Sequence, residues 1–144
     1  MYREYTPSYL NLEAYLILLD YGYDPININD LYVFGIDDLI LYFFKKFEQI
    51  AINEFNILKA IERHFTKTIL YAIERGADVT KTNNFKSGTL HFAAKYNIKE
   101  IVKPLISRGV DINAEDKYGR TPLYYAREYN PEIAELLISN GTGQ

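Results

Sequence analysis

Residues 119–130 read GRTPLYYAREYN, and residues 87–97 read SGTLHFAAKYN. Laying Leu90, His91 and Ala93 over Leu123, Tyr124 and Ala126 gives one offset of 33 residues for all three pairs. The same offset carries Gly76 onto Gly109, each inside a similar phrase, ERGADVT at 74–80 and SRGVDIN at 107–113. SNGTGQ at 139–144 repeats the opening of that phrase, and LLDYGYDPIN at 18–27 has its cadence. A fixed period of this size marks an array of stacked units, so it settles the architecture before any single residue is considered.

Each unit reads as two short helices followed by an extended finger. Thr121 before Pro122 predicts a helix start: the hydroxyl caps free amides, and proline in the first turn loses no hydrogen bond. Asn97 followed by Glu100, and Asn130 followed by Pro131, predict starts of second helices. Gly22, Gly76, Gly109 and Gly141 follow apolar helical runs, where a left-handed residue closes the helix. Helices of about eight to ten residues are not stable alone and must stack on neighbours.

Thr121-Pro122-Leu123, Ala126, Glu132 to Leu137 and Gly141 resemble ankyrin repeats, as do Leu90 to Ala94, Glu100-Ile101-Val102 and Gly109 to Ala114. The resemblance implies an all-α ankyrin-repeat solenoid of helix-turn-helix units with β-hairpin-like fingers. One domain over 1–144 is expected: divergent repeats or a cap over 1–52, then units at 53–81, 82–114 and 115–144. Gly22 to Gly76 spans 54 residues, short of two full units, so a degenerate, shortened repeat is expected at about 30–52, for about four repeats in all.

Departures from the family pattern carry expectations of their own. Pro104, about seven positions into a second helix, predicts a kink, because it lacks an N–H and crowds an earlier carbonyl. Gly88 and Thr89 stand where the family has Thr-Pro, which leaves Ser87 as the substitute cap. Arg127 replaces a small alanine, as suits a last repeat whose outer face meets water.

Composition narrows the function. The chain has 144 residues, 48% apolar and 24% charged, enough for a core and unlike a disordered segment. There is no cysteine, which removes disulfides, thiolate metal sites and cysteine nucleophiles and makes a cytoplasmic, intracellular address the default. With 19 acidic against 16 basic residues and no basic stripe, nucleic acid is not an expected partner. Met1 to Tyr9 has no signal-peptide pattern. Leu31 to Phe44 is too short for a membrane span and carries Asp37 and Asp38, so no membrane is expected.

Nothing in the spacing supports catalysis, a metal or a cofactor. His64 and His91 lie in different units, and no hydrolase, zinc or phosphate-binding motif occurs. By resemblance His91 holds a neighbouring loop, while His64 after Arg63 is a surface residue. Asp111 to Asp116 opens like a calcium loop but lacks its sixth-place glycine and has Pro122 at the twelfth place, so it reads as an ordinary finger. Asp37 and Asp38 point about 100° apart on a helix and suit charge compensation at a helix N-terminus better than paired catalysis. The aromatic run Tyr32, Phe34, Tyr42, Phe43, Phe44 and Phe47 reads as core or N-terminal cap. A small-molecule pocket or enzyme site in that third is the alternative from another class.

The remaining expectation is recognition of another protein by a chain that is a monomer when free. Positions that match the family's concave face are Glu62, Arg63, Phe85, Lys86, Lys95, Tyr96, Lys117, Tyr118, Arg120, Glu128 and Tyr129. Tyr96 and Tyr129 recur at the 33-residue offset and are expected on one rim. A stoichiometric inhibitor, such as a toxin-immunity protein or a blocker of a host factor, is the first reading, and an adaptor joining two partners the second. The phrase Leu105 to Asn113 also resembles sites that asparaginyl hydroxylases modify in ankyrin repeats, which implies possible hydroxylation at Asn113.

Overall fold

A computed structural model describes Asp37, Leu41, Lys45, Ile52 and residues 55–141. The expectations for 1–52, including the shortened repeat and the aromatic run from Tyr32 to Phe47, otherwise lie outside the described residues.

Among the described residues the chain forms α1 (Ile57–Glu62), α2 (Thr66–Glu74), α3 (Thr89–Tyr96), α4 (Val102–Ser107), α5 (Pro122–Tyr129) and α6 (Pro131–Ser139). A single 3-10 turn, Lys99–Ile101, leads into α4. The first helices α1, α3 and α5 pack side by side in one layer, and α2, α4 and α6 in a second behind them. Ala60, Ala93 and Ala126 recur at the repeat offset and are fully buried, so each first helix presents a methyl group where the next must approach. Ile57, Ile61, Ile69, Leu90, Ile101, Leu105, Leu137 and Ile133 fill the space between the layers. Neither layer has a dry face without the other, which is why these short helices hold.

Gly76, Gly109 and Gly141 stand just beyond the ends of α2, α4 and α6 with φ of 91°, 84° and 108°. At the first of these, Gly76 N–H donates to the Ile73 carbonyl and Ala77 N–H to that of Ala72, the paired closure of a left-handed cap. Gly109 and Val110 repeat it on Ile106 and Leu105. No atom lies within 4 Å of where a Cβ on Gly109 would stand, so Gly109→Ala carries a conformational cost alone. A loss of about 1 kcal/mol, or about 3 °C in Tm, is expected in thermal unfolding. An unchanged Tm would show that the left-handed cap is not needed there.

Three local expectations are corrected. Asn97 does not open the second helix: it closes α3 in the left-handed conformation, with φ 57° and ψ 48°. Asparagine tolerates that region well, and Ile98 opens the 3-10 turn instead. Pro104 does not kink a helix interior. The 3-10 turn over Lys99–Ile101 delays the start of α4 to Val102, which places Pro104 in its first turn, where an amide has no intrahelical partner. Ser87 does not cap α3. Gly88 is the N-cap residue, and its N–H donates to His91 Nδ1 at 3.2 Å, while Thr89 Oγ1 donates to the Val79 carbonyl at 2.9 Å.

Thr121 and Pro122 behave as their types require, the hydroxyl accepting from Tyr124 N–H at 3.4 Å with proline in the first turn. Asn130 precedes Pro131 at the start of α6, but its amide is turned away from that helix and donates to the Ala94 carbonyl of the preceding repeat. Asp37 compensates a helix N-terminus, and the helix is not its own. Its carboxylate accepts from Lys67 N–H at 2.9 Å, from Thr68 N–H at 3.0 Å and from the buried Thr68 hydroxyl. It thereby caps α2, whose N-cap residue Phe65 has no capping side chain.

Candidate functional site

The fingers are built twice by the same chemistry. Asn83 Oδ1 accepts from the N–H groups of Phe85 and Ser87 at 2.9 and 3.0 Å, and Asp116 Oδ1 accepts from Tyr118 and Arg120 at 2.8 and 3.0 Å. Asn83 N–H donates to the Ser87 carbonyl and Asp116 N–H to that of Arg120, which closes each finger as a narrow hairpin. In the first of them Thr82 and Gly88 form an antiparallel bridge. The turn throws Phe85 and Tyr118 outward at equivalent tips. Lys117 N–H donates to the Phe85 carbonyl at 2.8 Å, so the two fingers are tied backbone to backbone.

His91 links finger and helix. Its Nδ1 accepts from Gly88 N–H and its Nε2 lies 2.9 Å from the Arg120 carbonyl, so the imidazole is fully used, with its hydrogen on Nε2. It is buried, edge-on to Tyr125 with centroids 6.0 Å apart. Tyr125 donates its hydroxyl to Asp116 Oδ2 at 2.6 Å. Burial pushes the Asp116 carboxyl up, but the Tyr125 hydroxyl and the amides of Arg120 and Tyr118 outweigh it and hold the group below its ordinary value of 3.8. Burial first, and then the bond to Asp116, raises Tyr125. These groups act as struts for the fingers. Among the described residues no cluster of His, Asp or Glu could hold a metal ion.

Residues 57–143 match the family described as ankyrin repeats, in three copies. The chain belongs to the ankyrin-repeat family. No curated protein matches it significantly. Ankyrin repeats are interaction modules that bind other proteins, generally without catalysis, and the matched residues span the three helix pairs seen among the described residues. Among the described residues no helix is long and apolar enough to cross a membrane.

On this ankyrin stack the eleven residues singled out from the sequence fall into two groups. Phe85, Lys95 and Tyr118 line one groove in front of α3, Lys86 and Lys117 are exposed chain neighbours of its rings, and Arg120 lines the adjoining depression. Phe85 and Tyr118 stack at 6.1 Å with 22° between their planes, although they are 50% and 61% exposed. The Arg120 guanidinium lies over the rings of both Tyr118 and Tyr124, at 5.2 and 5.0 Å. Behind the rings is a groove of about 170 Å³, lined by Phe85, Phe92, Lys95, Tyr118 and Tyr125 among others. Small-molecule sites usually enclose about 300–1,000 Å³, so this one suits a single side chain. A broader depression of about 550 Å³ on the last repeat, lined in part by Tyr124, Arg127 and Glu128, continues the face.

Glu62, Arg63, Tyr96, Glu128 and Tyr129 form the second group, at the C-terminal ends of the first helices. Tyr96 and Tyr129 end α3 and α5, as the repeat implies, but their surroundings differ. Tyr96 is half-buried against the core, 5.9 Å from Phe92 and edge-on to the exposed His64 at 6.2 Å. Burial, and then the charge of Glu62, raises its hydroxyl above the usual tyrosine value. Tyr129 is 58% exposed, and a bond to Glu128 raises its hydroxyl. Tyr96→Ala is therefore expected to lower stability by about 1–2 kcal/mol, and Tyr129→Ala to leave Tm within about 1 °C of the parent. Equal shifts for the two in thermal unfolding would contradict this packing.

Sequence reading missed Tyr124, which is 47% exposed under Arg120. It lies one repeat offset from His91, at the histidine position of its repeat. Lys86 sits at φ 57° where the next finger has Gly119 at φ 72°. A lysine there costs about 1 kcal/mol that glycine avoids. Asn113 is exposed, its N–H bonded to Asp111 Oδ1 at 2.9 Å, and Arg127 is exposed.

Proposed function

We propose that this ankyrin stack is a protein-binding module without chemistry of its own that works by occupying its partner. The reading that fits best is a stoichiometric inhibitor, such as a toxin-immunity protein or a blocker of a host factor, acting as a cytoplasmic monomer. The observation that carries the binding face is the exposed Phe85–Tyr118 stack extended by Arg120 and Tyr124. Such clusters of aromatic rings and arginine are what the energetic centres of interfaces favour. Lys86, Lys95 and Lys117 border this centre, and Glu62, Arg63, Tyr96, Glu128 and Tyr129 form its edge. Asn113, exposed on its finger, is a further proposed site of hydroxylation, and intact-mass analysis after incubation with an asparaginyl hydroxylase would read one added oxygen.

The test is capture of a partner on the immobilised chain, followed by titration of that partner's own activity. Inhibition complete at one equivalent supports the inhibitor. Two different proteins retained together, with neither inhibited, would make the chain an adaptor. Turnover of a small molecule by the isolated chain would overturn both.

A further inference from the structure

The full chain carries a net charge of −3, yet Lys95 lines the groove between the fingers and α3, and three exposed cations, Lys86, Lys117 and Arg120, stand beside its Phe85 and Tyr118 rings. Arg120 lies over Tyr118. Lys117 is held against the Phe85 carbonyl by its backbone, and Lys86 follows Phe85 at the finger tip. The ion pairs among the described residues, Lys59 with Glu62 and Lys99 with Glu132, lie elsewhere. The nearest carboxylate, Asp116, is buried and spent on Tyr125 and the finger amides. Glu115 and Glu128 are the exposed acids of this face, and Glu128 is engaged with Tyr129.

Lys86 supplies a second argument. Its left-handed backbone is one that glycine adopts freely at the equivalent tip, so a lysine is the less stable choice there. Backbone strain of this kind persists where the surrounding structure holds it, and it clusters at binding sites. At this tip the exposed lysine directly follows Phe85, whose ring lines the groove.

We propose that the groove takes an acidic segment of a partner protein: one apolar side chain enters between Phe85, Phe92 and Tyr118, while flanking carboxylates meet Lys86, Lys95, Lys117 and Arg120. The proposal rests on the protein-binding reading above and names the chemistry of the partner. Guanidinium and ammonium groups pair carboxylates at the rim, where they govern encounter and salt dependence, and the desolvated ring contact sets affinity.

The experiment uses the full chain and a capped, fluorescein-labelled peptide with a central phenylalanine between short runs of glutamate. Binding is read by anisotropy, and its site by amide chemical-shift changes. Binding is expected to weaken at least about tenfold when salt is raised from 50 to 500 mM, and about fivefold when glycine replaces the phenylalanine. Lys86→Gly should weaken peptide binding about threefold while raising Tm, two changes of opposite sign that misfolding cannot produce. Equal binding of a lysine-flanked peptide, indifference to the central phenylalanine, or tighter binding of an oligothymidylate would overturn the proposal, the last by making the face one for nucleic acid. If the acidic peptide fails while a captured partner still depends on Phe85 and Tyr118, the protein-binding reading stands and the acidic partner does not.

Discussion

Phe85→Ala together with Tyr118→Ala is expected to weaken partner binding by about a hundredfold or more while Tm stays within about 2 °C of the parent. Both rings are at least half exposed and stack on each other, so truncation leaves the helices their packing. A central aromatic side chain at an interface is worth about 2 kcal/mol or more, and each tenfold in affinity is about 1.4 kcal/mol. Two such residues that share one contact give somewhat less than their sum. Calorimetric titration of the captured partner against parent and variant reads the change. A loss below about threefold would move the interface off the fingers and onto the second-helix layer.

A loss of about 2–3 kcal/mol, or about 8 °C in Tm, is expected for Asp116→Ala. The residue is 5% exposed, and removing its carboxylate strands the Tyr125 hydroxyl and the amides of Tyr118 and Arg120. Asp116→Asn should cost less, about 1 kcal/mol, because Asn83 already closes the preceding finger with an amide oxygen. The two variants separate further with pH. The native Asp116 carboxyl lies below its ordinary value of 3.8, so its stabilisation is complete above that value and is lost as pH falls from there through the depressed one. Asp116→Asn should therefore flatten the fall in urea-unfolding stability below about pH 4, leaving the shares due to Asp78, which is lowered by its bonds to Thr80, and to Glu132, which is lowered by its bond to Lys99. A parent and an asparagine variant with parallel acid limbs would refute the assignment.

Mutations in one finger also bear on the other. The fingers share the Lys117 to Phe85 backbone bond, and His91 of the second repeat holds the Arg120 carbonyl of the third. A partner seated on Phe85 and Tyr118 thus meets a surface whose parts are positioned by hydrogen bonds before it arrives, which reduces the ordering cost of binding.

The repeat period was legible as a pattern and the structural use of His91 through the resemblance to ankyrin repeats, while the left-handed glycines after second helices and the Thr121-Pro122 start were legible in the residues themselves. Each is a local requirement: a glycine after an apolar run, or a hydroxyl before proline, has one good backbone conformation whatever surrounds it. The alanine register was legible for the same reason, since close helix approach admits only a small side chain. Asn97 and Pro104 show where local reading ends. Asparagine serves as readily in a left-handed cap as in an N-cap, and the choice was made by how α3 and α4 must pack. A proline is costly only in a helix interior, and the 3-10 turn before α4 moved the boundary past it. Contacts between repeats were decided by tertiary structure alone. Asp37 reaches α2 across thirty residues of sequence, Arg108 Nη1 donates to the Ile73 carbonyl at 2.8 Å, and Arg120 settles over two tyrosines. No basic stripe exists along the chain because Lys86, Lys95, Lys117 and Arg120 are scattered through it, and only stacking the repeats brings Lys95 into the lining of the groove and the other three beside its rings.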